Sequence, residues 1–114
     1  MQSIQDAYPH LNRDLRFYPL GVDNPDVLSA AQIRQYNERG FLAPIDVFDA
    51  DEIAEIRAYF DKLLPQAQAA GWNSYEITNW HKHCRGVWDI VTQPKLLDVV
   101  QDLVGETIIL RHSH

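Results

Sequence analysis

Two histidine pairs, His81-x-His83 and His112-x-His114, and one thiol, Cys84, are the side chains whose types and spacing could hold a metal. On a strand, residues two apart share a face. His112 and His114 would then project together, with Cα atoms roughly 7 Å apart, within reach of one ion. Zinc takes four protein ligands, or three and a water, and this strand offers two. His81 and Cys84 would complete a set only if the loop that carries them folded back, and nothing in the sequence requires it. Backbone hydrogen bonding accounts for the loop histidines, and packing accounts for a lone thiol. The residues therefore assign no metal ligand and no catalytic group within the chain.

Other chemistry is poorly represented. There is no glycine-rich phosphate loop, nucleophile elbow or kinase signature. Asp46, Asp49, Asp51 and Glu52 cluster at the start of a helix, where capping and the macrodipole explain acidic residues without a catalytic pair. Their spacing departs from a calcium loop, and no glycine makes the turn such a loop needs.

The elements that must position these groups follow from local signals. Residues 1–27 contain Pro9, Pro19, Gly21 and Pro25 among isolated apolar residues, so they read as an irregular arm. Tyr8, Leu15, Phe17, Tyr18 and Leu20 would let that arm lie against a body. Ser29-Ala30-Ala31-Gln32 has the form of a capping box, Leu28 and Ile33 bracket it, and Gly40 supplies a left-handed stop. The spacing predicts a helix over 30–39. Phe41-Leu42-Ala43-Pro44 then reads as a short strand.

The start signal repeats at Asp49-Ala50-Asp51-Glu52. Ile53, Ile56, Phe60, Leu63 and Leu64 continue it as one apolar stripe, which Pro65 should end or kink, with the Gln and Ala residues to Gly71 available for another turn. Trp72 to Trp88 reads as an irregular aromatic loop. Thr92 and Pro94 open a further helix that Gly105 closes. Its apolar positions nearly encircle it, so deep packing is expected.

Thr107 to His114 reads as a strand. Ile108, Leu110, His112 and His114 share one face, and Ile109, Arg111 and Ser113 the other. One half of such a strand belongs in a core and the other half in a cavity wall. An apolar strand with nothing to pair it suggests the front part of something larger.

Composition narrows the class. The chain has 114 residues, a formal net charge of −6, and scattered Lys and Arg residues, which argues against general nucleic-acid binding. One cysteine rules out an internal disulfide and fits a reducing cytoplasm. No apolar run is long enough to span a membrane, and Met1 to Asp6 lacks the basic and apolar regions of a signal peptide. A cytoplasmic protein without nucleic-acid or membrane partners is the expectation. The residues leave its oligomeric state open.

The order of these signals resembles the opening of phytanoyl-CoA dioxygenase-like proteins. It is carried by Leu28-Ser29, by Tyr36-Asn37-Glu38-Arg39-Gly40-Phe41-Leu42, and by Asp49-Ala50-Asp51-Glu52-Ile53. Asn79-Trp80-His81, Val87-Trp88-Asp89, Pro94-Lys95-Leu96-Leu97-Asp98 and Leu103-Val104-Gly105 continue it. The resemblance covers residues 28–114 and leaves the 1–27 arm outside. It implies an α+β fold: an N-terminal helical layer and the first strands of a double-stranded β-helix, or jelly-roll, incomplete in this chain. It also implies Fe(II) and 2-oxoglutarate as cofactors of the full-length protein, which would hydroxylate a small organic substrate.

In that family a His-x-Asp pair and a distal histidine hold the iron. His112-Ser113-His114 lacks the Asp and precedes the expected place, so no ligand role passes to either histidine. The resemblance implies instead that His112 and His114 line the substrate or co-substrate pocket. Two alternatives stay open: a small helical module that binds a ligand or partner without catalysis, and a small metal-binding protein built on the histidine pairs.

Overall fold

The computed structural model describes residues 10, 12, 14 and 16–114, and it is built from helices. They are α1 (Ala30–Arg39), α2 (Ala50–Ala69), α3 (Arg85–Val91) and α4 (Pro94–Val104), with single 3-10 turns at Ser74–Glu76 and Trp80–Lys82.

Both capping boxes form. The Ser29 hydroxyl accepts from the Gln32 amide at 3.2 Å while the Gln32 side chain accepts from the Ser29 amide at 2.9 Å. Asp49 and Glu52 repeat the exchange at 2.9 Å in each direction. Gly40, at φ 77°, ends α1 by returning its amide to the Tyr36 carbonyl. Each cap contributes on the order of 1 kcal/mol, which explains why these two starts were legible.

The expected α+β class does not hold. Of the described residues 53% are helical and none is in a strand. A strand exists through its ladder. Thr107–His114 is hydrogen-bonded to the body at one residue, Ser113, which meets Asn79 and His81, and bonding at one residue sets no register. Between α1 and α2, Pro44 has no amide to give a ladder, so Phe41–Pro44 stays irregular as well.

Pro65 neither ends nor interrupts α2, which runs on to Ala69. The missing Pro65 amide would have bonded the carbonyl of Asp61, and Asp61 is exposed, so water can serve that carbonyl. The helix closes one turn later in a Schellman arrangement. Trp72 donates to the Ala67 carbonyl at 2.9 Å and Gly71, at φ 91°, donates to Gln68 at 3.0 Å.

The interior is thin. Leu28 and Ala67 are the buried apolar side chains among the described residues. Contrary to expectation, α4 is not deeply packed, because few layers surround it. Leu96, Leu97, Val99, Val100 and Leu103 are half-buried and Val104 is exposed. The arm also departs from expectation. Phe17, Tyr18 and Leu20 are exposed rather than laid on the body, and Tyr8 and Leu15 lie outside the described residues.

What fixes residues 26–28 is polar. Asp102, fully buried on α4, accepts the amides of Asp26 at 2.8 Å, Val27 at 2.9 Å and Leu28 at 2.8 Å. The amide of Gly21 adds a bond to the Leu103 carbonyl at 3.3 Å. Burial pushes the Asp102 carboxyl up, but the Leu28, Val27 and Asp26 amides outweigh it and hold it below its ordinary 3.8. A carboxylate with a lowered native value stabilises the fold above the unfolded value. That contribution is lost as pH falls through the native value.

Asp102→Ala strands three amides and should cost about 3 kcal/mol in urea denaturation at neutral pH. The gap between wild type and variant should close as pH drops below 3.8. An unchanged midpoint at neutral pH would refute this role.

Candidate functional site: an apolar cleft beside a polar clamp

The stripe on α2 faces a second stripe on α3. Ile53, Ile56, Phe60 and Leu63 form one wall, Val87, Ile90 and Val91 the other, and Ile77 and Trp80 also line the space. The cleft is partly open to solvent, with Ile53 and Phe60 exposed, and holds about 440 Å³. This is the size range of small-molecule sites.

Gly86 sets the separation of the walls. The Tyr59 ring from α2 lies so close that a Cβ at position 86 would overlap it. The far end of the aromatic segment is organised by the closure of α2, which delivers Trp72 edge-on to Trp80 with centroids 6.4 Å apart.

A polar clamp stands beside the cleft. Asn79 occupies the left-handed region at φ 59°, ψ 21°, a conformation asparagine tolerates, and from it the chain enters the 80–82 turn. Its amide donates to the Ser113 carbonyl at 2.7 Å, and its side-chain oxygen accepts from the Ser113 amide at 3.4 Å. The buried His81 ring meets the Ser113 hydroxyl, Nδ1 to Oγ, at 2.6 Å. These three contacts clamp the terminal segment. The next residue, His114, stands edge-on to Tyr75 at 5.5 Å and borders the cleft with Ser74 and Ser113.

The histidines singled out by spacing are thus separated. His81 points inward to Ser113, whereas His83 is exposed. His112 and His114 border a second groove of about 700 Å³ between the terminal segment and α3–α4, and of the two only His114 also reaches the cleft. Cys84 is half-buried at the start of α3. The described residues contain no group of three His, Cys, Asp or Glu able to hold a metal. No helix among them is long and apolar enough to cross a membrane.

No family model, curated protein or solved structure matches this chain. Its site is therefore defined by its own geometry.

The acidic cluster resolves into structural work. Asp49 and Glu52 cap α2, and Glu52 also accepts from Lys95 at the start of α4 at 2.6 Å. Lys95 first, and then the Asp49 amide, hold the Glu52 carboxyl below its ordinary value.

Four features escaped sequence reasoning. Asp102 offered a faint signal, a carboxylate set among Val99, Val100, Leu103 and Val104. The Gly86–Tyr59 contact and the Asn79–Ser113 pairing are long-range and carry no local signature. The fourth is α3 itself, which begins inside the stretch that reads as aromatic loop.

Two substitutions test this architecture. Ser113→Ala removes the His81 contact and should raise amide exchange at Asn79 and at position 113 at least several-fold, with α1 unaffected. Gly86→Val forces the Tyr59 ring aside, and the Tyr59 ring resonances and those of Val87 should shift together in NMR spectra. Unchanged spectra would show that the two walls do not meet at position 86.

Proposed function

We propose that the chain is the N-terminal part of a phytanoyl-CoA dioxygenase-like oxygenase that uses Fe(II) and 2-oxoglutarate to hydroxylate a small organic substrate. The observation that carries this reading is a run of family-like residues in family-like order from Leu28 to Gly105. Many of them cap and join elements. Gly40 ends α1, Asp49 and Glu52 begin α2, Asn79 and His81 belong to the clamp, and Gly105 follows α4. The thin interior also supports it, since a helical layer with two buried apolar side chains among its described residues suits a body that packs against further protein.

In this reading the chain supports chemistry carried elsewhere. Its described residues do not fit an iron site. They form no group of three ligands, and His112 and His114 come without a carboxylate. No step of the reaction is assigned to them, and the two histidines line the substrate or co-substrate pocket. A cytoplasmic location accords with the single thiol.

A second reading, a helical module that holds a ligand without catalysis, is favoured by the cleft between α2 and α3.

The oxygenase reading is tested on the protein encoded by the full reading frame. It should carry a His-x-Asp within about fifteen residues after His114, following the facial-triad logic. Loaded with Fe(II), it should form succinate from 2-oxoglutarate, while the 114-residue chain forms none. A frame without that pair, or one with the pair but no succinate, overturns the proposal.

A further inference from the structure

We infer that the α2–α3 cleft binds a small, uncharged, flat apolar molecule carrying one hydrogen-bonding group, with that group directed to the His114 end. The inference deepens the ligand-binding reading and uses neither iron nor 2-oxoglutarate.

Three observations carry it. The walls are mostly aliphatic and aromatic, with Ile53, Ile56, Phe60 and Leu63 on one side and Val87, Ile90 and Val91 on the other, so a charged ligand would lose hydration there with little compensation. The polar side chains on the lining are few. Arg57 is already held by Asp61 at 2.9 Å, the Tyr59 ring lies against Gly86, and the Ser113 hydroxyl meets His81 at 2.6 Å. His114 and Ser74 have no hydrogen-bond partner among the described residues, so their ring nitrogens and hydroxyl can serve a ligand.

The third observation is the clamp. Three hydrogen bonds from Asn79 and His81 hold Ser113, one residue before His114, at a defined place. A ligand group bound there meets a positioned partner rather than a loose terminus, which reduces the ordering cost of binding. The flat shape follows from Trp80 and Phe60, whose rings offer faces and edges for stacking.

The experiment titrates the 114-residue chain with naphthalene, 2-naphthol and 2-naphthoate, followed by amide and indole chemical shifts in NMR spectra. The expected result is saturable binding with shifts centred on Ile56, Trp80, Val87 and Ile90. 2-Naphthol should bind about tenfold tighter than naphthalene, the value of one hydrogen bond, and 2-naphthoate weaker than 2-naphthol. His114→Ala should bring 2-naphthol within about twofold of naphthalene if one hydrogen bond is the difference. Val87→Trp, or Ile56→Trp from the opposite wall should the first not fold, should abolish binding of all three by filling the space.

Equal affinity of naphthalene and 2-naphthol for the wild type overturns the inference while leaving a nonselective ligand site. Shifts that never saturate, or that spread over exposed residues such as Ile109 and survive both filling variants, overturn the inference and the ligand-binding reading together.

Discussion

One carboxylate holds the two ends of this fold together. Asp102 is removed from solvent on α4 and accepts three consecutive amides from the segment leading into α1. Without that acceptor, residues 26–28 would present buried donors with nothing to receive them, and α1 would lose the anchor that sets its entry. A buried charge is normally costly, and here it is tolerated because three backbone dipoles converge on it. The position of α1 relative to α4 is thus set by hydrogen bonding more than by packing. This is consistent with an interior in which Leu28 is one of only two buried apolar side chains among the described residues.

Local physics was legible and nonlocal physics was not. Ser29 with Gln32, Asp49 with Glu52, and Gly40 each act within four residues, so their chemistry can be read without knowing the fold, and each forms as expected. The bounds of α1 and the start of α2 follow directly. The apolar stripe of α2 was equally readable, and it does become one wall of the cleft.

The terminal segment shows the opposite case. Thr107–Leu110 has the composition of a strand, but β structure is a property of pairs, and among the described residues no partner is available. Pro65 does not end α2, which takes the further turn that the Gln and Ala residues after it offered. The proline's local cost is real, yet it is one hydrogen bond in a helix of 20 residues whose far end is secured by Gly71 and Trp72. The alternation that puts His112 and His114 on one face presumes a strand, and the terminal segment forms none. The clamp that holds Ser113 had no local signal, because Asn79 and Ser113 are 34 residues apart.

The Asp102 anchor also has a consequence for how the chain is made. Its donor at Asp26 precedes the acceptor by 76 residues, so on the ribosome the amides of 26–28 emerge long before the carboxylate that receives them. With synthesis running at about 5–20 residues per second, α1 and α2 are translated seconds ahead of α4. During that interval the α1 entry is held only by its own capping box, and its neighbours Val27 and Leu28 remain open to water and to nascent-chain binders. A helix made later, α4, is therefore the one that locks α1.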